Sequence, residues 1–178
     1  MFIFVYFEWG IIMKRQNYLF WDLNQLKSLI KSGELNADQK YFILIHTAAH
    51  NIKEAPVFAQ SVAELFPNSS VVGTSAVSII YCGKLYTERC LISFVSTERT
   101  DINTAVISYK GRSAKELADE TADKLIGYNT KAMLCYFADP YADVYDYASI
   151  LDKKYPDVKI AGGIADSTDG EAFVFTAD

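Results

Sequence analysis

Ser70-Val71-Val72-Gly73-Thr74-Ser75-Ala76 is an apolar run that ends abruptly in small residues, and it is followed by Val77-Ser78-Ile79-Ile80-Tyr81-Cys82-Gly83, a second apolar run. A near twin lies towards the other end of the chain in Val158-Lys159-Ile160-Ala161-Gly162-Gly163-Ile164-Ala165-Asp166-Ser167. Each reads as a strand delivering a glycine-bearing junction, where the absence of bulk admits close backbone approach or a ligand. What precedes each junction is also alike. Strand 41–46, helix 54–66, Pro67-Asn68 and Val71-Val72-Gly73 match, in order, strand 132–137, helix 144–155, Pro156-Asp157 and Ile160-Ala161-Gly162-Gly163. Two strand-helix-strand units whose glycine turns face one another across a cleft are therefore expected.

Working outward, Asp22 with Gln25 forms a capping-box pattern ahead of Leu23, Leu26, Leu29 and Ile30, and Ser32-Gly33 stops that helix. Tyr41-Phe42-Ile43-Leu44-Ile45-His46 is the unbroken apolar run of a strand buried on both faces, with Thr47 to Asn51 as its exit. Residues 90–95 and 102–109 read as strands, the second partly alternating and so more antiparallel in character. Ser113 and Glu116 open another helix reaching about Ile126, and 171–176 is a last strand. The fold class expected is α/β, a mixed β-sheet covered by helices, with an antiparallel stretch between the two strand-helix-strand units.

Composition bounds the function. The chain has 178 residues, 51% hydrophobic and 22% charged, enough for one globular domain with a sizeable core. Seventeen basic against 22 acidic residues give a net charge of −5, and the basic residues form no cluster beyond Lys14-Arg15 and Lys153-Lys154, so no nucleic-acid partner is expected. Cys82, Cys90 and Cys135 lie in or beside apolar runs without metal-ligand spacing and read as small hydrophobes in a reducing compartment, consistent with a cytoplasmic location. Residues 1–13 are apolar, but the run is too short for a bilayer span, carries Glu8 and has its positive charges after the run. It reads as an added strand, neither a membrane span nor a signal peptide.

Chemical templates fit poorly. Gly73-Thr74-Ser75-Ala76-Val77 lacks the second glycine of a nucleophile elbow, and a strand follows it where that motif needs a helix. Neither a dinucleotide fingerprint nor a phosphate-binding loop occurs. His46 and His50 are four apart in a strand-end loop, and Thr47 stands where a zinc protease needs glutamate. Cys82 has no predicted histidine neighbour and no Cys-x-x-Cys partner. No enzyme, cofactor or metal is expected. Tyr136, Tyr141, Tyr145 and Tyr147 make a tyrosine-rich region suited to a pocket, an interface or plain packing.

From about Tyr41 to Asp178 the chain resembles the N-terminal part of a FIST domain, a bacterial sensory and signal-transduction module. The resemblance rests on Phe42 to Ile45, the helix leading to Phe66-Pro67, Val71 to Ala76, Ala132 to Asp139 and Val158 to Asp166. It implies a non-enzymatic domain that binds a small ligand, such as an amino acid or a related metabolite, and passes occupancy to a signalling output domain or protein. Carried over residue by residue, Gly73, Thr74, Ser75 and Ala76 stand on the family's first small-residue turn, and Gly162, Gly163, Ala165 and Asp166 on its second. This chain departs at Val77 and Ser78, where the family often has glycine and glutamate. The alternative is a structural or protein-interaction module that has lost the ligand site. The organisation expected is an N-terminal strand-like segment and short helix over 1–40 and a FIST-like domain over 41–178, incomplete at its C-terminus. A homo-oligomer is a further expectation, because unpaired sheet edges seek partners.

Overall fold

The computed structural model describes residues 2–3, 14–20, 22–96, 100–139, 143–167 and 170–177. Its elements in chain order are β1 (Phe2–Ile3), β2 (Lys14–Phe20), α1 (Leu23–Lys31), β3 (Tyr41–Thr47), α2 (Glu54–Leu65), β4 (Ser70–Ser75), β5 (Ile79–Tyr81), β6 (Lys84–Tyr86), β7 (Cys90–Ser96), β8 (Val106–Ile107), α3 (Ala114–Leu125), β9 (Ala132–Phe137), α4 (Val144–Lys154), β10 (Lys159–Ile164) and β11 (Val174–Thr176). The N-terminal strand expected over 1–13 lies outside the described residues except at Phe2–Ile3, and Tyr141 lies outside them altogether.

The α/β class holds, with the strands divided between two mixed sheets. One has the order β11-β4-β3-β7-β2 and the other β10-β9-β1-β8, while β5 and β6 form a separate hairpin. Each large sheet has one parallel pair, internal in the first and at the edge of the second. β3 runs parallel to β4 from Phe42 opposite Ser70 to Thr47 opposite Ser75. β9 runs parallel to β10 from Ala132 opposite Lys159 to Phe137 opposite Ile164. The echo in the sequence is thus a structural repeat, two strand-helix-strand units of equal ladder length.

Strand alternation explains the layers. In β3, Tyr41, Ile43 and Ile45 point to a core with Leu26 of α1, Phe58 and Val62 of α2, and Phe94 of β7. Phe42 and Leu44 point the other way, to a second core with Val72, Val95 and Val174 of their own sheet and Leu134 and Tyr136 of β9. In β9, Met133, Cys135 and Phe137 face Leu117 of α3 and Tyr147 and Leu151 of α4. The two sheets therefore lie back to back with a helical pair outside each, and both central strands are apolar on both faces because both faces are covered.

Helix ends follow local chemistry. Asp22 accepts hydrogen bonds from the Asn24 and Gln25 backbones, and Ser113 and Glu116 complete the expected capping box at α3. Two departures stand out. β2 pairs with β7 along seven residues, although its polar Lys-Arg-Gln-Asn start masks the strand in the sequence. Conversely, the strand expected over 102–109 is reduced to Val106–Ile107, which pairs antiparallel with Phe2–Ile3.

Candidate functional site

The glycines of both junctions lie within strands, because β4 continues to Ser75 and β10 to Ile164, while Ala76, Ala165 and Asp166 follow the strand ends. A Cβ on Gly73 would stand 2.2 Å from the Phe175 ring and 2.8 Å from the Ile45 carbonyl oxygen. A Cβ on Gly162, whose φ is +154°, would stand 1.7 Å from the Cys135 carbonyl oxygen. Both glycines are needed for close packing of neighbouring chain. Gly163 has open space where a Cβ would point.

The ends of the two strands do meet. The Asp166 backbone N–H donates to the Ser75 carbonyl at 3.4 Å, and the Ala165 N–H donates to Phe137 O at 2.6 Å. Within that junction the residues have different surroundings. The Thr74 hydroxyl is buried and donates to the Ser75 carbonyl at 3.1 Å. The Ser75 hydroxyl donates to Phe173 O at 3.2 Å and accepts from Phe173 N at 2.9 Å, which ties β11 into the sheet. Ala165 is buried in the core between the sheets, and the Asp166 carboxylate is exposed, accepting from the Ser167 N–H at 2.8 Å.

Ser75 and Ala76 line a cavity of about 200 Å³ together with Thr47, His50, Asn51, Glu54, Ser167 and Phe173. It opens where the parallel strands β3 and β4 end and α2 begins, the position at which open α/β sheets characteristically receive ligands. Gly162 and Gly163 line another cavity, of about 220 Å³, between β10 and α4, walled by Cys135, Phe137, Val144 and Tyr147. The eight residues predicted from the sequence are thus divided between two concavities, the core and the surface.

The first cavity is built by one loop. Thr47 Oγ1 accepts from the Ala49 and His50 backbones at 3.2 and 3.0 Å, folding the chain back at the end of β3. Asn51 Oδ1 caps the first turn of α2 through Lys53 N and Glu54 N, while Glu54 accepts from Asn51 N at 3.2 Å. His50 stacks on Phe58 at 4.6 Å between ring centroids. Its Nδ1 lies 3.0 Å from Thr47 Oγ1 and 3.1 Å from Cys90 Sγ. Burial lowers the His50 pKa, partly offset by Glu54. Burial also pushes the Cys90 thiol up to about 11, against the hydrogen bond it gives Thr47. A protonated thiol beside a neutral imidazole is a hydrogen-bonding pair, not an activated nucleophile.

The sequence suggests a structural or pocket-lining role for His50, which does line the cavity, but Thr47, Asn51, Glu54 and Ser167 were missed as cavity residues. The signal available was the Thr-Ala-Ala-His-Asn loop directly after a doubly buried strand. Among the described residues no group of three or more histidine, cysteine or acidic side chains is placed to hold a metal, and no helix is long and apolar enough to cross a membrane.

Comparison with protein-family models matches the FIST N domain over residues 41–178. No curated protein and no solved structure matches the chain.

Proposed function

Since the chain belongs to the FIST N domain family, a family with sensory roles in signal transduction, we propose that it is a non-catalytic domain that binds a small polar metabolite. The observation that carries this is the cavity at the ends of β3 and β4, where His50, Asn51, Glu54 and Ser167 converge on one concave space. An amino acid or a close derivative suits it. The exposed Glu54 carboxylate offers an acceptor for an ammonium group, and the neutral His50 and the Ser167 hydroxyl are hydrogen-bonding groups for its polar remainder. Occupancy would be passed on by α2, whose first turn borders the cavity and whose Phe58 and Val62 reach the helix-side core. The receiver is a signalling output domain or a separate protein, in a cytoplasmic setting.

A thermal-shift screen against amino acids and related metabolites tests this, because a ligand bound only by the folded state raises the melting temperature. At least one compound should raise it in the wild type. Glu54→Gln and Ser167→Ala, which alter the cavity without touching the core, should abolish or halve that shift. A panel that leaves the wild type unmoved, or shifts all three proteins equally, would defeat the proposal. In its place would stand an interaction module, favoured by the exposed edge strand β10 and its Ile164, which is 49% exposed.

A further inference from the structure

β10 ends its sheet, with β9 as its one ladder partner among the described residues. The Lys159 N–H donates to Lys131 O at 2.8 Å and the Ala165 N–H to Phe137 O at 2.6 Å, so the odd-numbered residues turn their backbone groups towards β9. By alternation, Ile160 and Ile164 turn theirs to the open side. Ala161, Gly162, Gly163 and Ile164 are exposed, and Lys159 carries the strand's one charge. An open edge of this kind is a template for another strand.

Beside that edge α4 leaves a groove. One concavity of about 220 Å³ lies among Val144, Gly162 and Ile164, and a second of about 490 Å³ among Tyr145, Ser149 and Asp152; Ala148 and Ile160 line both. Tyr147 and Leu151 hold the other side of the helix against the core. Tyr145, Ala148, Ser149 and Asp152 therefore form a stripe, at three- and four-residue spacing, turned towards the groove. Tyr145 is 82% exposed, and neither its hydroxyl nor the Asp152 carboxylate has a partner among the described residues.

We propose that this face binds a second copy of the chain about a two-fold axis, joining β10 to β10 antiparallel. Backbone geometry sets the register, because outward-turned residues must meet outward-turned residues. Pairing Ile160 with Ile164 of the second copy uses the whole strand and places Gly162 opposite Gly162 on the axis. Each isoleucine then gains a cross-strand isoleucine on the α4 side, over the groove. Lys159 stands opposite Ala165, so the register brings no like charges together. The helix stripe is self-complementary in the same sense. Antiparallel α4 helices centred between Ala148 and Ser149 bring Tyr145 of each copy to Asp152 of the other, a phenol donor to a carboxylate acceptor, while the small central residues allow close approach. That reciprocity singles out a second copy over an unrelated peptide, which would satisfy the strand edge alone. The face shares no residue with the cavity at the ends of β3 and β4.

The test is the oligomeric state of the purified chain, by sedimentation equilibrium and light scattering across a dilution series, with hydrogen exchange at the backbone amides. The wild type should be a dimer that dissociates on dilution, and exchange at the Ile160 and Ile164 amides should be slower in the dimer. Ile164→Lys, at a position 49% exposed, should be monomeric with an unchanged circular dichroism spectrum. Tyr145→Asp sets two carboxylates against each other and should weaken dimerisation about tenfold or more, a difference of ~1.4 kcal/mol. Adding Asp152→Lys to Tyr145→Asp should restore it. A wild type that is monomeric at every concentration overturns the inference and leaves the edge to a different partner. A dimer that either Ile164→Lys or Tyr145→Asp leaves intact overturns it as well, since the copies then meet elsewhere.

Discussion

Gly162 and Gly163 are adjacent in β10, yet only the first is bound to be glycine. Its neighbour across the parallel ladder is Cys135, whose carbonyl oxygen occupies the place a Cβ would take, and its φ of +154° disfavours any side chain. Gly163 has neither constraint. Gly162→Ala should therefore cost at least about 2 kcal/mol in urea unfolding through overpacking and backbone strain. Gly163→Ala should stay within about 0.5 kcal/mol of wild type. Equal losses at the two positions would show that the tight approach of β9 and β10 is not what selects glycine. At this scale the sequence was partly informative. It marked the small residues, but it could not tell a glycine packed against a neighbouring strand from one that lines a site, since the difference lies in an atom belonging to residue 135.

At the scale of elements, α3 shows how much local chemistry can determine alone. Ser113 Oγ accepts from Glu116 N at 3.3 Å, and the Glu116 carboxylate accepts from Ser113 N at 2.8 Å, so two free amides of the first turn are satisfied within four residues of chain. Along the exposed face Arg112 pairs with Glu120, Lys115 with Asp119 at 2.6 Å, and Lys154 of α4 with Asp119 at 3.1 Å. These pairs are solvated and add little to stability. The cap is a stronger contributor, and Ser113→Ala should lower unfolding stability by about 1 kcal/mol, with Ser113→Asp restoring most of it. A loss restricted to Lys115→Ala, with Ser113→Ala neutral, would reverse that ranking. α3 and both strand-helix-strand units were legible because caps and apolar periodicity are short-range signals. β2 was not, because its polar residues are tolerated at the edge of a sheet and its pairing partner is far along the chain, from Phe20 opposite Cys90 to Lys14 opposite Ser96.

For the molecule as a whole, back-to-back sheets enclose polar groups that isolated sheets would leave in water. His46 lies between the sheets, and His50 lies between α2 and the end of β3. Burial is the main cause of the lowered pKa of each, below the ordinary value of 6.5. The sign of the pH dependence follows. Above about pH 6.5 both are neutral, folded or unfolded; as the pH falls through that value the unfolded chain takes up protons that the folded chain refuses, so stability declines until the folded values are passed. The surface carboxylates Glu116 and Asp119 are held below their ordinary values of 4.5 and 3.8 by hydrogen bonds from Ser113 and Lys115, so their contribution is lost only at lower pH. Urea midpoints should therefore fall between pH 7 and pH 5, and the His46→Gln/His50→Gln double variant should flatten that interval. A slope that survives the double variant would assign it to other groups.

From its sequence alone the chain determined its class and its repeated unit. Doubly apolar strands, capped helices and the order in which they alternate are properties of neighbouring residues, and they required a mixed α/β fold with two strand-helix-strand units. The tertiary structure decided how the strands divide into two sheets, which face of each was turned inward and what the small-residue stretches were for. Gly73 makes room for Phe175, Gly162 for the Cys135 backbone, and Ser75 ties down Phe173. The polar cavity came from the Thr47–Glu54 loop. Those outcomes depend on contacts between residues far apart in the chain, so their chemistry appears only once folding has brought the partners together.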